Sequence, residues 1–187
     1  NFALNQIKKI VPRNIRKTVY NSLVKPHLEY SIIAWGNSNC DGLNRLKIKH
    51  KQAIRNVANA SYNAHVDPLL GSLGLLNFED TLTYYIADFV KTLFMNKAPS
   101  SFKQIFEPMS SLRVVKLKSE RPKLKALEAF PNVMFPKIWN NLDNNVRLSS
   151  TCKALKKAIK EKSIQKYKNF QCNIKINVMF VKKYKPP

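Results

Sequence analysis

Apolar residues in this chain recur with the three- and four-residue spacing of amphipathic helices. One stripe, between residues 43 and 59, consists of Leu43, Leu46, Ile54 and Val57. A second stripe consists of Leu82, Ile86, Phe89, Val90 and Leu93. This spacing places the apolar side chains on one helical face. Glycine occurs only 4 times in 187 residues, which argues against the turn-dense pattern of a β-sandwich. The sequence therefore predicts a mainly α fold, a helical bundle.

Proline and capping residues delimit the elements around these stripes. Pro12 begins an apolar stripe that continues past Pro26 to Trp35, which indicates one helix kinked near Pro26 or two short helices in series. Residues 65–76 are rich in Pro and Gly and predict a single short turn of helix between loops. Asn77 is placed to cap the helix that carries the second stripe.

The C-terminal part of the chain is less regular. Residues 110–131 interleave apolar and basic side chains and predict a strand or an extended basic loop, with a short β element around 112–118. Ser150 or Thr151 is expected to cap a last helix. After residue 170 apolar and polar residues alternate at period two, which indicates an extended or strand-like tail, or a disordered arm.

The charge balance points to a polyanionic partner. The chain has 33 Lys and Arg against 11 Asp and Glu, a net charge of +22, which is far more than solubility requires. The excess is +9 over residues 1–60, −2 over 61–110 and +15 over 111–187. Solvated helix faces normally mix both signs, so the last segment predicts a surface that binds DNA or RNA with little sequence preference and strong salt dependence.

The titratable residues predict neither a catalytic nor a metal site. Metal-dependent nucleotidyl transfer needs clustered carboxylates, whereas only Glu79 and Asp80 are adjacent here, where they stabilise a helix start. His27, His50 and His65 stand far apart, outside any HExxH arrangement, and are expected at the surface or as hydrogen-bonded core histidines. Neither a Walker A nor a GxGxxG phosphate loop occurs.

Cysteine content and hydropathy predict an intracellular protein, in the nucleus or the cytoplasm. Cys40, Cys152 and Cys172 are odd in number and widely spaced, so we expect free thiols rather than a disulfide framework or a CxxC-type zinc site. The longest apolar stretch, Tyr30–Trp35, is far too short to span a bilayer. Because the first residue is Asn1 and not Met, we expect the numbering to begin inside a longer polypeptide.

Five short motifs follow one another along the chain. They are Val19–Tyr30 with Ala34-Trp35-Gly36, Leu43–Val57 with Gln52-Ala53-Ile54-Arg55, His65–Leu73 with Pro68-Leu69-Leu70, Phe135–Leu142 with Pro136-Lys137-Ile138-Trp139-Asn140, and Ser149–Tyr167. In this order they resemble the region after the palm in non-LTR (LINE-type, jockey-like) retrotransposon reverse transcriptases. The resemblance covers nearly the whole chain to about residue 168. Ser31 and Asp143 depart from the Gly and Pro that are usual in the family.

The resemblance implies a reverse transcriptase thumb and the segment after it, which pack against the primer and template. It suggests a helical thumb-like domain (1–107), a basic linker or short strand (108–131), C-terminal basic helices (132–168) and a tail (169–187). The family's catalytic carboxylates lie upstream in the palm, so no catalytic residue is carried over and the chain alone would be inactive as an RNA-directed DNA polymerase. Mg²⁺ would bind the missing palm, and we expect no cofactor and no metal ligand in this segment.

The resemblance also implies the partners, which are RNA and DNA as an RNA/DNA hybrid duplex, and the palm and fingers of the same polypeptide. The candidate phosphate contacts are Lys47, Lys51, Arg55, Lys153, Lys156, Lys157 and Lys160. Such contacts position a duplex without reading its bases.

Two alternatives stay open. The segment from Cys152 to Lys162 is a basic amphipathic helix of the kind that lies on an anionic membrane or in a partner's groove. It contains neither Trp nor Phe, so we expect no membrane partner. The other alternative is a decayed relic or interaction fragment of a retroelement, retained without polymerase function.

Overall fold

The structure is a computed structural model, and its described elements are almost all helical. It describes the backbone of residues 2–38, 40–109, 116–119 and 121–183, and the side chains of the same residues except 103, 125, 126 and 170–183. The elements are α1 (Phe2–Ile7), α2 (Arg13–Val19), a π-turn (Tyr20–Val24), α3 (Lys25–Glu29), α4 (Ile32–Trp35), α5 (Asp41–Ala58), α6 (Val66–Leu73), α7 (Phe78–Phe94), α8 (Ser100–Ile105), β1 (Pro108–Met109), β2 (Lys116–Leu117), a 3-10 helix (Lys125–Ala129), α9 (Pro131–Asn140), α10 (Asn144–Arg147) and α11 (Cys152–Lys183). The mainly α prediction is confirmed.

The chain forms two compact units, neither of which is continuous in sequence. The first unit contains the residues up to Tyr30, then Asn44–Phe78, and the chain from Glu161 onwards. The second unit contains Ser31–Leu43 and Glu79–Lys160. The division into consecutive segments suggested by the family resemblance stays a prediction.

The core of the first unit forms around the apolar stripe of α5. Its buried residues are Leu4, Tyr20, Ala53, Ile54, Val57, Leu70, Leu73, Leu75 and Tyr167. The helix α5 was predicted over 43–59 and is observed over Asp41–Ala58. Gly71 lets α6 approach α11 closely, because a Cβ atom at Gly71 would lie 3.3 Å from the Cβ atom of Tyr167. Of the predicted stripe, Ile54 and Val57 contribute to this core.

A π-turn lies where the sequence predicts a kink. The helical run continues from Arg13 to Glu29, with the π-turn Tyr20–Val24 directly before Pro26. Proline has no N–H to donate and its ring crowds the carbonyl of the preceding turn, and the wider π-turn relieves this crowding. The helical run thus continues past Pro26 but ends at Glu29, and a separate short helix, α4, contains Ile32–Trp35, so neither alternative alone describes the predicted segment from Pro12 to Trp35.

Three helices end with the same backbone arrangement. Asn59, Gly74 and Asn96 have φ values of +53°, +63° and +56° and follow α5, α6 and α7. The N–H of the next residue then donates to a carbonyl five residues earlier, as in Ala60 to Arg55, Leu75 to Leu70 and Lys97 to Thr92. These are Schellman motifs, which satisfy carbonyls that a helix end leaves free. The helix α6 is longer than the single turn predicted for 65–76, because it continues to this stop.

The core of the second unit is aromatic. The rings of Phe106 and Phe135 stack with centroids 5.6 Å apart, and Phe89 meets both edge-on. Trp139 is fully buried, and the centroid of its ring lies 5.5 Å from that of Phe94. Trp139 is therefore a core residue that fixes α9 against α7.

A two-stranded antiparallel sheet lies in the same unit. Pro108 of β1 pairs with Leu117 of β2, and the Asn140 side chain bonds both the N–H and the carbonyl of Leu117. The predicted β element is thereby confirmed at Lys116–Leu117. Its part at 112–115 lies outside the described residues.

The last helix is longer than the sequence predicts. Thr151 caps α11, since its Oγ1 accepts a hydrogen bond of 3.1 Å from the Ala154 N–H. The backbone then stays helical to Lys183, where the sequence predicts an extended or strand-like tail after 170. Extending an existing helix adds one hydrogen bond per residue without a new nucleation cost, and this outweighs the period-two alternation. Residues 184–187 lie outside the described residues.

Candidate nucleic-acid interface

The seven predicted phosphate contacts fall into two groups. Lys47, Lys51 and Arg55 lie on the part of α5 that belongs to the first unit. The other four lie on the part of α11 that belongs to the second unit, and are Lys153, Lys156, Lys157 and Lys160. The structure thus places the residues of each group along one helix of one unit.

Three of the four α11 lysines form an exposed basic face. Lys153, Lys157 and Lys160 are exposed, and their spacing of four and three residues keeps them on one side of the helix. The opposite side is buried through Leu155 and Ile159. The sequence between Cys152 and Lys160 has no acidic residue, and the exposed Glu161 follows Lys160 on the same side of the helix, so positive charge exceeds negative charge on this face.

Lys156 has a different environment from its neighbours. Its ammonium group lies 2.8 Å from a carboxylate oxygen of Asp88 and 5.5 Å from the centre of the Tyr84 ring, both on α7. Burial by itself would lower the pKa of Lys156, but the hydrogen bond and charge of Asp88, with smaller contributions from Tyr84 and Cys152, leave that pKa above its usual value. Lys156 therefore holds α11 against α7, and its charge is already paired.

The exposed cations of α5 coincide only in part with the predicted contacts. Lys51 is exposed as expected, and so are Arg45 and Lys49, although Lys49 and Lys51, two residues apart, point in different directions around the helix. Lys47 is partly buried, with its ammonium group 5.4 Å from the centre of the Phe78 ring. The sequence signal for Arg45 and Lys49 was their distance from the apolar stripe, which places them opposite the buried residues.

Arg55 serves to hold a loop. Its Nε donates a hydrogen bond of 2.9 Å to the carbonyl of Ala64, and its guanidinium lies 5.9 Å from the centre of the Tyr62 ring. Both contacts fasten the loop after α5 to the last turns of that helix. Arg55 is partly buried by this packing and still lies at the surface.

Two buried arginines were not singled out from the sequence. Arg16 donates from Nε to the carbonyl of Val57 and from Nη1 to the carbonyls of Lys8 and Val11. Arg147 bonds Asn144 through Nη2, while its Nε and Nη1 have no hydrogen-bond partner in the described part of the chain. Burying a charge is costly unless it is hydrogen-bonded, and the three carbonyls offset this cost for Arg16.

The histidines lie where the sequence predicts. His27 and His65 are exposed, and His50 is buried with its Nε2 2.8 Å from the Tyr20 hydroxyl. Burial, with a smaller contribution from the charge of Glu29, raises the pKa of Tyr20 above its usual value. The phenol therefore keeps its proton, and the hydrogen bond between its hydroxyl and His50 Nε2 pairs the two polar groups inside the core.

The acidic side chains that the structure describes are dispersed. Glu79 and Asp80 occupy the first turn of α7. Over the residues that the structure describes, no three His, Cys, Asp or Glu side chains gather as metal ligands do. Within the same residues, no helix is both long and apolar enough to cross a lipid bilayer.

Comparison with protein-family models, with curated protein sequences and with solved structures finds no match to this chain. The family resemblance accordingly rests on the order and content of the five sequence motifs.

Proposed function

We propose that this chain is the nucleic-acid-binding, thumb-like part of a reverse transcriptase from a non-LTR mobile element. In this proposal it holds an RNA/DNA primer–template duplex through backbone phosphates, while the palm and fingers of the same polypeptide carry out RNA-directed DNA synthesis. The thumb supplies position and charge, and the palm supplies the catalytic carboxylates with their Mg²⁺.

The observation that carries the proposal is the exposed lysine face of α11. Lys153, Lys157 and Lys160 lie on one side of α11, where these three cations outnumber the neighbouring acidic residue Glu161. A row of ammonium groups binds phosphates by charge and by release of counterions, and it needs no particular base sequence. A polymerase thumb has the same requirement, because it must hold whatever sequence is being copied.

Backbone angles at two motif positions support the resemblance. Ser31 has a φ of +50°, in the left-handed region that favours glycine, which is the family's usual residue at this point. Asp143 has a φ of −61°, close to the value that proline imposes, and proline is the family's residue there. Both positions keep the conformation that the family's residues prefer.

The test is the salt dependence of binding to an RNA/DNA hybrid. We expect the variant Lys153→Glu, Lys157→Glu, Lys160→Glu to bind hybrids of every sequence more weakly, and its plot of log affinity against log salt to be shallower by about 2 to 3. Fluorescence anisotropy with a labelled hybrid at a series of salt concentrations measures both quantities.

The matched control changes the net charge equally at another place in the second unit. Lys116, Lys123 and Lys137 are exposed and lie outside α11, so their replacement by Glu should leave most of the salt slope intact. If the two triple variants have equal salt slopes, net charge alone governs binding. If the unmodified chain fails to bind the hybrid, the proposed function is refuted.

A further inference from the structure

The first unit contains a cleft of about 320 Å³ beside the last turns of α5. One wall comes from α1 and the turn after it, another from α5, and the third from the loop after α5, which contains Tyr62. The volume is near the lower end of the range for small-molecule sites, roughly 300–1000 Å³. A group of about one nucleotide fits it, whereas a duplex does not.

Several local interactions define the shape of this cleft. The Schellman motif at Asn59 reverses the chain, and the bond from Arg55 to Ala64 holds the returning loop next to α5. On the opposite wall, the buried side chain of Arg16 donates one hydrogen bond to the carbonyl of Lys8, in the turn after α1, and another to the carbonyl of Val57 on α5. The two walls are thus tied to the same end of α5, and Arg16 acts as a positioning residue.

Two aromatic side chains at the cleft are open to solvent. Phe2 is 78% exposed and Tyr62 is 75% exposed, although Phe and Tyr usually bury most of their surface. The guanidinium of Arg55 lies near the Tyr62 ring, which limits the positions that the ring can take. Exposed, partly oriented rings are the surfaces on which unpaired bases stack.

The other lining side chains are cationic or amide. Lys8 and Arg55 bring two positive charges, and Asn5, Gln52 and Asn56 bring amide groups. Within the described residues these three amides make no side-chain hydrogen bond to the protein, and Arg55 uses only its Nε. Rings for a base, amides for its polar edge or a ribose hydroxyl, and cations for a phosphate therefore meet in one place.

We propose that this cleft binds one unpaired nucleotide of single-stranded RNA or DNA. The base stacks on Tyr62 and Phe2, and the phosphate lies near Lys8 and Arg55. This site rests on the proposed function. It would bind an unpaired strand in addition to the duplex that the lysines of α11 hold.

The experiment uses the full chain and short single strands, of RNA in one arm and DNA in the other, that contain the fluorescent base 2-aminopurine. Stacking on an aromatic ring quenches this base. We expect Tyr62→Ala to abolish the quenching and to weaken single-strand binding by roughly five- to a hundredfold, while Tyr62→Phe keeps both. Tighter binding of RNA than of DNA would indicate that the amide groups bond the ribose hydroxyl. Equal binding of the two would indicate that they bond the base.

Tyr30→Ala is the matched control, because Tyr30 is 78% exposed and belongs to the same unit without lining the cleft. If Tyr62→Ala and Tyr30→Ala bind the single strand equally, the cleft proposal is overturned. The hybrid-duplex measurement is separate. If Tyr62→Ala loses the single-strand quenching but keeps normal affinity for the duplex, both proposals are supported. If the chain shows quenching that depends on Tyr62 but does not bind the duplex, only the cleft proposal is supported.

Discussion

Neighbouring residues of the same type have different roles in this protein. Lys156 and Lys157 are adjacent in sequence, yet one is paired with Asp88 and the other lies on the exposed basic face. Consecutive side chains on a helix are separated by about 100°, so α11 turns one toward α7 and the other toward solvent. A charge reversal at Lys156 would therefore disturb packing, and only its exposed neighbours test phosphate binding.

Ser31 offers a prediction at this scale. Its φ of +50° strains any residue with a Cβ atom, so we expect Ser31→Gly to raise the free energy of unfolding by about 1 kcal/mol. Urea denaturation followed by circular dichroism measures the change. Asn59→Gly is the comparison, with a smaller expected gain because asparagine tolerates the left-handed region. A Ser31→Gly variant no more stable than the parent would contradict the strain.

Among the elements, the short helix α4 depends on a close approach at its end. A Cβ atom at Gly36 would lie 2.5 Å from the carbonyl oxygen of Ile32 and 2.9 Å from Cδ1 of Leu82 on α7. Neither atom can retreat easily, since one is backbone and the other belongs to a buried side chain. Glycine is therefore required where α4 meets α7.

We expect Gly36→Ala to lower the free energy of unfolding by about 1 to 3 kcal/mol, the usual cost of overfilling a packed site. The measurement is again a urea titration. Gly42→Ala is the control, because a Cβ atom there would lie 3.7 Å from Cys40 Sγ, an ordinary van der Waals contact, and alanine favours the helix α5. Equal effects of the two substitutions would show that the contact with Leu82 is unimportant.

On the scale of the whole molecule, the net charge of +22 opposes the compact state. Like charges repel over about 10 Å at moderate ionic strength, and added salt screens this repulsion. We therefore expect the melting temperature to rise with the concentration of an inert salt. At low salt, heparin should raise it further, because a polyanion that binds the folded chain stabilises it. Melting temperatures that are independent of salt and heparin would mean that the charges are too dispersed to act together.

Several features of the fold could be predicted from local patterns. The stripes of α5 and α7, the disturbance at Pro26 and the cap at Thr151 are properties of a few neighbouring residues, and all are found. The length of α11 was underestimated, because helix elongation depends on what precedes a segment as well as on its own alternation.

The candidate sites were only partly predictable. The lysine face of α11 follows from spacing, but nothing in the sequence indicates that Lys156 is paired or that Arg55 holds a loop. The cleft joins residues of α1, α5 and the loop after α5, whose separation in sequence hides their proximity.

By itself, the sequence determined the helical class, the strong positive charge and its concentration in the last segment, because periodicity and composition are properties of the chain alone. Only the tertiary structure decided which cations face solvent, which aromatic rings stay outside the core and which polar side chains line one cleft. These depend on which helix faces pack together, and packing is chosen by contacts between residues far apart in sequence.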